Sequence, residues 1–463
     1  MIRKLLTVLL SAAVSVTCIF GLAACEKEKE QYGLSFAEVK DGGATIGYTV
    51  LSAIEKEEKI EIPSEFKGLP VISIEEDAFN GGDWITEVVI SDSVKTIGEK
   101  AFYGCSALTT VSIGSGLMAA GEYAFGKCEN LKRVNIGNLK AWCEVDFANA
   151  PANPLYFAEE LYVGGVLATD IIIPEDTAKI GDYAFYGCAG ITSVKTGGGA
   201  ASVGEQAFVN CKNLKSVNIG NGVTSVGSEA FADCGKLEEV TLGSKVKTIG
   251  SYAFNRCYML EGIALPSGTE SIGEGAFSEC YGLKTFDMND GLKTIGEGAF
   301  CGCVALEKFI MPDSVTEIGF GVLTFAENGG FSGGEYLGNN LTELVISNSL
   351  TEIPDFAFNG CNVNKVTIGS SVETIRYSAF YSCYNLETII IPKSVTKVES
   401  YAFHRCDRVA LVCYTGTAEE WAAIKIGKNG NAALTDFVRF YSEAQPTEEG
   451  YFWHYEGGVP VAW

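Results

Sequence analysis

The sequence predicts a repeat solenoid: a right-handed, leucine-rich-repeat-like coil of short β-strands joined by bends or short helical turns, about 13 coils of about 23 residues. Three observations predict it. First, the phrase Ile-Gly-x-x-Ala-Phe-x-x-Cys-x-x-Leu-x-x-Val-x-Ile stands at Ile97 to Ile113, with Ala101, Phe102, Cys105, Leu108 and Val111 in its fixed slots. Second, its Phe returns at Phe125, Phe185, Phe208, Phe231, Phe254, Phe277, Phe300, Phe358, Phe380 and Phe403. Third, each unit alternates with period two, so that Val111 and Ile113 face one side and Thr110 and Ser112 the other. A unit this short buries its apolar face only by stacking on its neighbours. Stacked coils present a long surface rather than a deep pocket, which sets the class of function to expect.

At the N-terminus, Arg3 and Lys4 precede an apolar run from Leu5 to Leu22, then Leu22-Ala23-Ala24-Cys25. The positive start and small residues favour an export signal over residues 1–24. The phrase is similar to a bacterial lipoprotein signal, in which Cys25 becomes the acylated N-terminus; an ordinary signal peptide or an uncleaved anchor are the alternatives. Residues 25–32 are a charged tether. Residues 33–70 read as a cap over the first coil's open edge, with strand-like pieces at 44–51 and 59–63.

Coils occupy 71–137, the first imperfect because Gly82 or Asp83 stands where Cys is expected. In each, a Val-x-x-Ile piece and a Leu-x-x-Val-x-Ile piece flank a compact Ala-Phe-x-x-Cys bend. Residues 138–170 break the period, with Trp142 followed by Leu155 and Tyr162 at spacings of 13 and 20; Trp421, Leu434 and Tyr441 repeat both spacings. One module, with a short helix about its Trp, is therefore expected twice. A second block spans 171–410, interrupted by a Gly-rich loop at 324–340, and 411–463 forms a C-terminal module and cap, whose aromatic tail from Pro446 to Trp463 either folds back as that cap or stays mobile.

Composition narrows the function. The net charge of −24 and pI near 4.6 argue against nucleic-acid binding, which needs clustered Lys and Arg. Eleven of the 16 cysteines share one repeat slot, from Cys105 to Cys406. One slot means one environment, and coils stacked like strands leave the side chains side by side, which favours buried thiols over disulfides. His404 and His454 are the only histidines and read as surface residues, so no Ser-His-Asp, Cys-His or His-metal constellation is expected. No cofactor is expected. Glu238, Glu239 and Glu261 fall on adjacent coils and are the one candidate carboxylate cluster for glycan hydrolysis, read against a plain solvated acidic patch.

The outward strand positions carry more information. Lys132, Arg133, Lys195 and Lys215 make early coils basic, Glu238, Glu239 and Glu261 make middle coils acidic, and Ile310, Val345 and Ile390 make late coils apolar. Thr367 and Val89 depart from the trend. Either the late apolar row binds a partner, or the loop or the C-terminal module covers it.

The repeats resemble the BspA-like leucine-rich repeat family of bacterial surface proteins over roughly residues 45–440. The resemblance rests on the Ile-Gly-x-x-Ala-Phe-x-x-Cys phrase, the Leu386 to Pro392 variant and the Trp142 module. It implies an exported, anchored binding protein, adhesin-like in some relatives, that meets host or bacterial proteins or glycans outside the membrane. It marks no ligand-binding residues. An envelope spacer without a ligand is the alternative, and a glycan-processing enzyme a third reading.

Overall fold

A computed structural model describes residues 33–324, 340–435, 438–444, 450–456 and 459–463. The expected signal over 1–24, Cys25, the tether as far as residue 32 and the Gly-rich loop at 325–339 lie outside the described residues. The chain winds into a β-solenoid of about 16 turns with little helix. The count exceeds 13 because the Trp-bearing segments and part of the expected cap are turns too: Lys59–Ile62 pairs parallel with Glu87–Ile90, Glu160–Val163 with Arg133–Ile136, and Val438–Tyr441 with Leu411–Tyr414.

Each turn contributes two strands. The Leu-x-x-Val-x-Ile piece joins a main sheet, and the Val-x-x-Ile piece joins a narrower sheet on the opposite side. Thr110–Ile113 shows why: Val111 and Ile113 are buried while Thr110 and Ser112 are half-buried. Registers advance by one repeat, Val88 beside Val111 beside Val134. Between the sheets the phenylalanines stack, with ring centroids 5.0–5.5 Å apart from Phe185 through Phe300. Truncating a ring in such a stack costs about 3–5 kcal/mol.

Two sequence features set the spacing of turns. The Gly of Ile-Gly is required by close approach: a Cβ on Gly250 would meet the Gly227 carbonyl carbon at 2.6 Å. Late coils carry Pro354, Arg376 and Glu399 at that slot. The slot cysteines lie buried as free thiols. Ten of them donate Sγ–H to a main-chain carbonyl of the preceding turn; Cys234, for example, lies 3.2 Å from the Phe208 oxygen. Desolvation pushes the Cys105 and Cys280 thiols up to about 12. A small apolar side chain with one weak donor suits this slot, because the carbonyl above it already accepts a main-chain N–H and has a lone pair to spare.

The main side is three sheets of six, six and eight strands, and the other side three of seven, six and four. The first seam falls at the Trp142 segment. The second main-side seam separates Thr285–Asp287 from Lys308–Ile310. There Phe286 and Phe309 take the place of the usual aliphatic inward residue and pack edge-on against Phe300, at 4.6 and 5.1 Å. At the N-terminus, Leu34–Asp41 and Ala44–Ala53 form an antiparallel pair whose second strand joins Leu69–Ile74 and buries Tyr48 and Val50 on the first turn.

Candidate binding face

The main-side face is built from one slot. The middle residue of each strand points into the core, as Val134, Val217, Ile263, Val366 and Ile389 do. Its neighbours therefore point out. Parallel register lines these outward residues into rows: Ser112 beside Asn135 beside Tyr162, Ile172 beside Lys195 beside Asn218, and Ile310 beside Val345 beside Thr367 beside Ile390 beside Cys413.

The basic residues of the early coils do not form one patch. Lys132 and Arg133 are exposed on the first block, while Lys195 and Lys215 are exposed beyond the first seam. Arg133 is engaged: its guanidinium lies over the Tyr162 ring at 4.5 Å, and its Nε is 3.6 Å from Glu160. Glu238, Glu239 and Glu261 are all exposed on neighbouring strands, and Lys284 pairs with Glu261 at 3.0 Å. Exposed carboxylates keep their hydration, and among the described residues these three line no enclosed cleft that could take a glycan. Among the described residues, no three His, Cys, Asp or Glu side chains are grouped to hold a metal ion. A hollow beside Trp142, lined by Leu117, Ala141 and Val145, holds about 10 Å³. That is room for one water rather than a substrate.

The late apolar row divides. Ile310 is 50% exposed and Val345 half-buried, but Ile390 is only 4% exposed. Ile390 is thus no free binding residue. Trp453, on the strand Phe452–Glu456, lies over it and over Cys413, and donates its indole N–H to the Tyr414 carbonyl at 3.0 Å. That strand pairs parallel with Val438–Tyr441 and antiparallel with Val459–Ala462, so the aromatic tail folds back as a hairpin.

Sequence reasoning passed over a second apolar cluster. Gly164 and Gly165, both at positive φ, turn Tyr162–Val163 back into Val166–Leu167. Val166 is 70% exposed, and Leu167 and Ile172 are exposed too. The Gly-Gly pair between apolar runs was the available signal; the broken period hid it.

The Trp421 segment shares its element order with the Trp142 segment. Each has a short helix (Leu139–Cys143, Ala418–Ala422), a back-side strand (Asp146–Phe147, Lys425–Ile426), a 3-10 turn and a main-side strand. The Trp and Leu of the spacing match hold their places, but the Tyr does not. Leu155 precedes the inward Leu161 by six residues and Leu434 precedes the inward Val438 by four. Tyr162 takes the outward slot in one copy, and Arg439 takes it in the other.

The comparisons with known proteins fit this geometry. The model of the BspA type leucine rich repeat region matches residues 44–162, 159–263, 201–328 and 334–420. The chain belongs to that family; leucine-rich repeat proteins in general bind other proteins. No curated protein matches significantly. Among solved structures, a leucine-rich repeat protein from Bacteroides ovatus is similar at 24% identity and TM-score 0.57, covering 88% of this chain and 93% of that one. A leucine rich cell surface protein from Faecalibacterium prausnitzii is similar at 24% identity and TM-score 0.43, covering 85% and 96%. The pneumococcal vaccine antigen PcpA is similar at 18% identity and TM-score 0.44, covering 88% and 97%. Identities this low speak to fold alone.

Proposed function

We propose that this chain is an exported, lipid-anchored protein that presents its main-side face outside a bacterial membrane and binds host or bacterial proteins or glycans as an adhesin does. One observation carries the reading. The inward slots repeat almost without change, while the outward row in register with them varies: Lys195, Asn218, Thr241 in one sheet and Ile310, Val345, Thr367 in the next. A spacer needs only the inward slots, so a patterned outer row supports recognition. Membership of the family supports a surface location, and the sequence around Cys25 supports anchoring by a lipid. Among the described residues no helix is long and apolar enough to cross a membrane.

Two experiments test this. Cells expressing the full chain should incorporate labelled fatty acid into it, and Cys25→Ala should abolish incorporation. The purified chain should bind some member of a glycan and matrix-protein array saturably, and should lose that binding when outward residues are changed with folding intact. No saturable binding to any surface favours the spacer. Glycan turnover lost in Glu239→Gln or Glu261→Gln favours the enzyme.

A further inference from the structure

The outward row of the last main-side sheet is continuous, strand by strand, from Ile310 through Val345, Thr367 and Ile390 to Cys413. The chain itself fills one end of it. Trp453 is fully buried there, packed on Ile390 and Cys413 with Leu411 at the margin, and its N–H is satisfied by the Tyr414 carbonyl. An indole that loses all its water contact while keeping its one hydrogen bond is well accommodated. Among the described residues the other end is open. Ile310 is half exposed, Val345 and Thr367 are partly so, and the Lys308–Glu343 ion pair, 3.4 Å apart, runs alongside. Lys308–Ile310 is also the first strand of its sheet; across the seam stands Thr285–Asp287 of the preceding turn, and the Glu307 N–H donates to the Lys284 carbonyl at 3.2 Å.

On the binding reading above, we infer that Ile310, Val345 and Thr367 form a seat for an aromatic side chain carried by an extended segment of a partner polypeptide, equivalent to the seat that Trp453 fills on Ile390 and Cys413. Ile310 and Val345 give the open seat an aliphatic floor beside Thr367, as Ile390 does beside Cys413 in the filled one. Sugars stack on aromatic rings, and none lies in this stretch of the row. The occupied seat shows the chemistry that fits: an indole ring laid across Ile390 and Cys413, carried on an extended strand whose ladder runs to Val438–Tyr441 beside the seat.

The probe is the chain's own tail sequence as a labelled peptide, Gly450-Tyr451-Phe452-Trp453-His454-Tyr455-Glu456, titrated against the full chain by fluorescence anisotropy. One saturable site is expected on the unaltered protein. Ile310→Asp should weaken it at least about tenfold, as should replacing the peptide's Trp by Ala. Trp453→Ala in the protein should vacate the second seat and raise the stoichiometry from one to two. If that variant does not fold, the Ile310 comparison still decides. Absence of peptide binding, or binding that Ile310→Asp leaves unchanged, overturns the seat; so does a glycan, rather than the peptide, being what Ile310→Asp displaces. Failure of the seat leaves the wider reading intact if array ligands still bind. Failure of every array ligand rejects the wider reading while the peptide titration still reports on the seat.

Discussion

The segments around Trp142 and Trp421 are one design used twice, and they differ in the chain that succeeds them. Both begin at a side-chain N-cap, Asn138 in one and Thr417 in the other, and both lay a two-residue strand on the preceding back-side strand. The first must then hand over to another coil. Trp142 donates to the Ala184 carbonyl at 2.7 Å, Asn153 donates to Tyr183 and Ala184, Glu144 accepts from the Ala178 N–H, and Lys140 and Asp146 pair with Asp176 and Lys179. Counting from the Trp, the second segment carries Ala432, Ala423, Glu419 and Lys425 where the first has Asn153, Glu144, Lys140 and Asp146. Its helix buries no residue, whereas the first helix buries Trp142 and Cys143. A turn inside the array needs polar sockets for its successor. A turn at the end keeps the scaffold, drops the sockets, and leaves closure to the Trp453 hairpin.

The largest expected difference is at the two tryptophans themselves. Trp142, 3% exposed, joins two repeat blocks. Trp142→Ala should cost about 3–5 kcal/mol, read by chemical denaturation, and should uncouple the blocks into two transitions. Half-buried Trp421 has less to lose, and Trp421→Ala should cost about 1–2 kcal/mol. Equal costs would break the comparison. Next comes Asn153, fully buried, whose side chain holds the Leu155 N–H as well as the two carbonyls of the following turn. Asn153→Ala should cost about 2–3 kcal/mol, since it strands buried main-chain groups, while Ala432→Asn in the second segment should be close to neutral.

How far the sequence foretold this depends on the kind of signal. The solenoid, the Phe stack and the buried thiols were legible because each rests on a slot that recurs in nearly every turn, so Phe102 and Phe231 report the same environment. The Trp segments were legible as a repeat but not in register: their turns differ in length, and spacing alone matched Tyr162 with the wrong residue. Ile390 stood equally open to either reading from sequence. Its burial depends on Trp453, which is distant in the chain and belongs to no repeat, so no periodicity connects them. Phe286 and Phe309 were present as oversized inward residues, but a seam is a property of several strands together.

The thiols sharpen the comparison through pH. Cys143 lies buried in the first segment, its pKa raised by desolvation, and the matching residue of the second is exposed Ala422. The slot thiols Cys105 and Cys280 are pushed from the ordinary 9.0 up to about 12. The folded state therefore holds protons that the unfolded chain releases. That contribution is fully present below pH 9 and is lost between pH 9 and 12. The unfolding midpoint should fall steeply over that window. The double variant Cys105→Ala and Cys128→Ala should be less stable at pH 7 but should fall less steeply. A midpoint flat to pH 12 would mean that the thiols are not desolvated.

The smallest effect belongs to the charges. Lys140–Asp176 and Lys179–Asp146 bridge the first segment to its successor, yet all four side chains are well exposed. Exposed pairs contribute little, and salt screens them. Installing the second segment's charges in the first, Lys140→Glu with Asp146→Lys, sets like charges against Asp176 and Lys179. The expected result is a small drop in the unfolding midpoint at low salt that vanishes near about 1 M salt. The reciprocal swap, Glu419→Lys with Lys425→Asp, meets no successor and should do nothing at either salt concentration. A drop that survives high salt would show that these residues position the next turn through geometry rather than charge, and the sockets would then rest on more than Asn153 and Trp142.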